Sequence, residues 1–165
     1  MKQCVFYCKS WFRAKNKPID VWLEKKAYKK HMAGESYTAL IGSESTPSCF
    51  IEVMKNKGWV GVSFLNENLQ EYLLYNFKIL NDNRLFLSMA VYREFAEHDG
   101  EGAGILNVSH GTTYIFNENG SAVVREEQFN PYKLEESQTT VDVTGNYDMF
   151  PEFGEYDSLI RKERC

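Results

Sequence analysis

No run of this chain approaches the roughly 18 apolar residues that a membrane-spanning helix requires. The start, MKQCVFYCKSWFRAKNK, is too briefly apolar for a secretory leader, so the sequence predicts a cytoplasmic chain with no membrane partner. Cysteine is sparse, with Cys4, Cys8, Cys49 and Cys165 in 165 residues. In a reducing compartment these are thiols, and the C-x3-C pair Cys4 and Cys8 has no second ligand pair to complete a zinc site. Histidine is sparser still: His31, His98 and His110 fall in no metal-binding spacing. Phosphate cradles are missing too, because GEGAGIL (100–106) has the glycines but lacks the Lys-Ser/Thr and is followed by strands. There is no G-x-S-x-G elbow around Ser109-His110. These absences predict no catalytic residues, no metal and no cofactor, and therefore a protein that is not an enzyme.

What the chain has in quantity is aromatic residues, 15% of the total, within a hydrophobic share of 43%. At this length one core can be buried without disulfide or metal support, so residues 1–165 are expected to form one domain. The large apolar residues come in short runs separated by Gly, Asn and Asp, which favours strands over a helical bundle. The net charge of −4 is unevenly spread: residues 1–46 carry +5, and residues 126–157 carry −8. An acidic segment of that density repels nucleic acid and attracts basic surfaces. The lysine cluster of Lys25, Lys26, Lys29 and Lys30 is expected to be a solvated helix face, so no nucleic-acid partner is predicted.

The stretch KPIDVWLEKKAYKKHM suits a helix, with Pro18 in the first turn and Ile19, Trp22, Leu23 and Ala27 as a buried stripe. From Cys49 the period becomes two. CFIEVMKN, WVGVSFLN, LQEYLLYNFKIL and RLFLSMAVYREF read as a meander, with turns at Lys57-Gly58 and Asn81-Asp82-Asn83. TTYIFNENGSAVVREEQF is the plainest hairpin in the chain. The expected class is α+β: an antiparallel meander of about six strands with an N-terminal helix packed on it. It divides into a basic helical part (1–46), the sheet (47–129) and an acidic, aromatic C-terminal strap (130–165).

In that strap Phe153, Tyr156, Leu159 and Ile160 are expected to fasten the chain to the sheet, leaving Asp148, Glu152, Glu155 and Asp157 to a partner. Paired carboxylates such as Glu126-Glu127 and Glu135-Glu136 need not converge for acid–base chemistry, and a solvated acidic surface is the simpler reading. Aromatics supply interface area and charges steer association. The expected partner-binding residues are therefore Glu126, Glu127, Glu135, Glu136, Asp148, Glu152, Glu155, Tyr132 and Tyr147.

WVGVSFLNENLQEYLLYNF, RLFLSMAVYREF, TTYIFNENGSAVV and VDVTGNYDMFPEFGEYDSLIRKER together resemble small bacterial immunity proteins of polymorphic and contact-dependent growth-inhibition toxin systems. The resemblance spans about the last two thirds of the chain. It implies a protein that binds one cognate toxin domain, often a nuclease with a basic substrate surface, and blocks it without chemistry of its own. The acidic segment fits such a role as a mimic of phosphate charge. Two other readings stay open: a small-molecule-binding open β-barrel, and an enzyme using His98 or His110.

Overall fold

A computed structural model describes residues 3–96 and 107–164. His98 and the glycine-rich stretch 100–106 lie outside the described residues. Two strands come first, β1 (Val5–Phe12) and β2 (Lys17–Trp22), followed by helix α1 (Glu24–Met32). Then come β3 (Tyr37–Ile41), β4 (Cys49–Met54), β5 (Trp59–Leu65), β6 (Glu71–Ile79) and β7 (Arg84–Phe95). The chain ends with β8 (Val108–Phe116), β9 (Ser121–Gln128), β10 (Lys133–Thr140) and the short β11 (Tyr147–Met149). All belong to one antiparallel sheet in the order β10-β9-β8-β7-β6-β5-β4-β3-β1-β2, with β11 paired to the start of β7. The expected antiparallel meander with a helix near its start is therefore what the chain forms, with eleven strands among the described residues.

Alternation along the central strands divides the sheet into two faces. Tyr37, Ala39 and Ile41 of β3, Ile51 and Val53 of β4, and Val60, Val62 and Phe64 of β5 point to the inner face, with Leu73, Tyr75 and Phe77 of β6 beside them. Helix α1 and the segment after β11 pack there, and Ala27, Tyr156 and Leu159 are buried against it. A smaller second cluster of Cys8, Trp11, Leu40, Phe50 and Leu65 gathers near the β1 end.

The helix begins later than expected. Residues 17–22 form β2, hairpinned on β1 through a turn in which Asn16 takes φ 49. A three-and-four spacing of Ile19, Trp22 and Leu23 does not by itself separate a helix from a strand this short. β-Branched Ile19 and Val21 fit the extended chain, and Pro18 is tolerated on an edge strand. The helix proper keeps the predicted polarity, with Glu24 in its first turn and Lys29, Lys30 and His31 in its last. Two turns form where glycine and asparagine placed them. Gly58 (φ 82) closes a 3-10 turn between β4 and β5, and Gly120 (φ 91) turns β8 into β9. A Cβ on Gly120 would lie 2.8 Å from the Val141 carbonyl oxygen, so the close approach also calls for glycine.

Candidate functional site

Strands β8, β9 and β10 run past the part of the sheet that α1 and the C-terminal segment cover. Every residue of β10 is exposed. Glu126 stands directly across from Glu135, and Arg125 from Glu136, because the β9–β10 register steps evenly from Lys133↔Gln128 to Thr140↔Ser121. Arg125 lies 3.6 Å from Glu136 and Lys133 lies 3.0 Å from Glu135, while Tyr132 donates a 3.0 Å hydrogen bond to Glu127. The Glu127 carboxylate accepting that proton raises the Tyr132 hydroxyl above its ordinary value. Tyr132 and Phe129, whose ring centroids are 5.6 Å apart, are both exposed at the turn into β10. Four of the predicted acids and one predicted aromatic thus lie close together on two neighbouring strands and the turn between them, divided by the pleat: Glu126 and Glu135 on one face, half-buried Glu127 and exposed Glu136 on the other, with Tyr132 bonded to Glu127. Glu94 and His110 line an open cleft of about 380 Å³ beside them, together with Glu126, Glu127 and Glu135.

The other predicted residues sit elsewhere. Tyr147 packs on Phe86 (5.1 Å between centroids) and donates a 3.1 Å hydrogen bond to Glu118 in the β8–β9 turn. Glu118 lies in the turn before the Ser121 end of β9, and the nearest of those acids, Glu136 across from Arg125, is about 14 Å of strand farther along. Asp148 is engaged internally: Arg164 reaches it at 2.6 Å and Arg161 at 4.0 Å, and Ser158 donates to it at 3.0 Å. Burial would raise the Asp148 carboxyl, but Arg164, the Met149 N–H and Ser158 outweigh it and hold the group below the usual range. Glu152 and Glu155 remain exposed on the strap, beside the helix rather than beside β9 and β10.

The strap itself is a packed element. Phe153 stacks on Tyr7 at 4.9 Å and 17°, with Tyr28 and His31 edge-on to it. Beneath it Tyr7, Tyr37 and Tyr156 share a buried hydroxyl chain: Tyr7 to Tyr156 at 3.5 Å, Tyr156 to Tyr37 at 3.0 Å and Tyr37 to His31 Nδ1 at 2.8 Å. One donor direction satisfies every member, with Tyr7 donating to Tyr156, Tyr156 to Tyr37, and Tyr37 to a neutral His31. Burial raises all three hydroxyls above their ordinary value. His31 is lowered, first by burial and then by Lys55, with Glu152 opposing. Farther along, the Tyr75 hydroxyl donates to the Lys162 carbonyl, and the Arg164 guanidinium lies 4.9 Å over the Phe77 ring.

Sequence reasoning missed one charged network. On the outer face Arg13 reaches Glu52 at 2.7 Å and Glu71 at 3.2 Å, Arg93 approaches Glu71 at 3.8 Å, and Ser63 donates to Glu71 at 2.7 Å. These residues come from five separate places in the chain, so no local motif could announce them. Arg13 also lies 5.0 Å over Phe50, which fastens the β1–β2 turn across the sheet. Burial pushes the thiols of Cys8 and Cys49 up to about 12, so both are inert packing groups at neutral pH. Among the described residues there is no cluster of three or more metal-ligating side chains, and no helix is long and apolar enough to cross a membrane. No family model, curated protein or solved structure matches the chain.

Proposed function

We propose that this chain is an immunity protein that binds a cognate toxin domain and neutralises it by covering a basic surface, with a nuclease substrate groove as the surface its charge fits best. The observation that supports the reading is the clustering of four acids at one edge of the sheet, Glu126 and Glu135 on one face and Glu127 and Glu136 on the other, with Tyr132 in the adjoining turn. Carboxylates on a rigid sheet present fixed negative charge to a phosphate-binding groove, and flanking aromatics supply apolar contact. The placement of Tyr147 and Asp148 narrows the proposed contact to β9 and β10 and the turn between them. Glu152 and Glu155 supply a second acidic strip at the helix side.

The alternative of a ligand-holding barrel calls for space on the inner face. Phe64, Tyr75, Phe77 and Leu159 occupy that face with side chains at most 2% exposed. Co-expression with a candidate toxin, the C-terminal domain of the protein encoded by the neighbouring upstream reading frame, tests the proposal. The expected result is a one-to-one complex that survives purification, together with relief of the toxin's growth arrest. Failure of both capture and relief would remove the immunity reading.

A further inference from the structure

We propose that β10 is a docking edge onto which a basic partner protein adds an extended strand, so that the partner continues this sheet. The inference rests on the reading that the partner is a basic protein, and it specifies how that partner is held.

The sheet has two long outer edges, and they are built differently. At the β2 edge, Pro18 removes a donor, and the pairing is interrupted where Lys9 faces Asp20, whose φ is 51. Such irregularities are how proteins keep an edge from accepting another strand. The β10 edge has no proline, keeps register over eight consecutive pairs and is exposed at every residue.

Its backbone groups can be assigned by alternation. Val141 N–H donates to Gly120 at 2.8 Å, and on the other side of β9 Asn117 donates to Ser121 and Phe129 to Ser109, each at 2.9 Å. Antiparallel ladders alternate, so odd-numbered β10 residues bond to β9. The even-numbered ones, Leu134, Glu136, Gln138 and Thr140, turn N–H and C=O outward. Eight residues offering four evenly spaced residues with outward donors and acceptors are a template for strand addition.

Charge selects the occupant. Glu135 and Glu126 are directly opposite on one face, and like charges placed so across a strand pair are destabilising. A Lys or Arg on an added strand across from Glu135 falls in the same cross-strand row and relieves that repulsion. A second copy of this chain would instead bring its own acidic β10 alongside, with four more glutamates on the two adjoining strands. Exposed Leu134 and Tyr132 offer apolar footholds on the opposite face of the same edge.

The test is amide hydrogen exchange on the nitrogen-15-labelled full chain, with a blocked eight-residue peptide of alternating Lys and Val as probe at millimolar concentration. An alternating Glu and Val peptide serves as the comparison. In the free chain the amides of Leu134, Glu136, Gln138 and Thr140 should exchange rapidly and those of Ser137 and Thr139 slowly. The Lys-Val peptide should slow the first set by about tenfold or more, and the Glu-Val peptide should not. Gln138→Pro removes only an outward N–H and should abolish the slowing while the β3–β7 amides stay protected. The titration of the unaltered chain decides the matter even if that variant fails to fold. No slowing, an equal response to both peptides, or slowing without peptide that grows with protein concentration would overturn the proposal, the last by naming a second copy as occupant. Capture of a toxin domain without protection of the four amides would remove the edge and leave the immunity reading standing. Protection without toxin capture would do the reverse.

Discussion

Two ionisable residues decide how tightly the C-terminal segment is held. Asp148 has a folded-state value below its unfolded one, so its contribution is complete above the usual aspartate range and is lost as pH falls through the lower folded value. Asp148→Asn should therefore be destabilised at pH 7 and should lose part of the acid dependence of unfolding below about pH 4, checked by urea titrations across pH. Arg164→Met leaves the Asp148 charge half-buried with its closest cation gone, and should cost about 3 kcal/mol in the same titration. His31 is also lowered, so its neutral form is the one the fold favours. Stability should fall as pH drops from 7 through the folded value of His31, which lies below 6.5. His31→Gln, which keeps an acceptor for the Tyr37 hydroxyl, should flatten that part of the profile.

At the scale of elements the strap after β11 behaves as part of the core. Leu159 is fully buried, so Leu159→Ala should cost about 2–5 kcal/mol in denaturant unfolding. Phe153, Tyr156, Leu159 and Ile160 pack against the core as the sequence indicated, because large apolar residues at a fixed place near a proline have nowhere else to go. The sheet strands from β4 to β9 were legible for the same reason: alternation and asparagine–glycine turns are local signals. β10 was not, since KLEESQTT has no apolar alternation and is a strand only because β9 gives its backbone a partner. β2 was hidden behind a spacing compatible with both periods. β1 and β3 passed unread because their short runs border polar loops, and their pairing spans both β2 and α1. The acidic residues were readable as a composition, but which of them share a surface was set by register. Asp148, four residues from Thr144 in an acidic stretch, turned out to serve Arg164, a partner sixteen positions away.

For the whole molecule, charge is segregated along the order of strands. The basic N-terminal part forms one side of the sheet, and β9 and β10, with their four glutamates, form the other. A molecule with this polarity orients in the field of a basic partner before contact, and such steering weakens as salt rises because the Debye length is about 8 Å at physiological ionic strength. The central claim, that the β9–β10 acids receive a basic toxin domain, is tested most directly by stopped-flow association with that domain. Wild type is compared with the Glu126→Gln, Glu127→Gln, Glu135→Gln, Glu136→Gln variant at low and physiological salt. The variant should associate about tenfold or more slowly at low salt and lose most of the salt dependence. Equal association rates for the two proteins at low salt would contradict it.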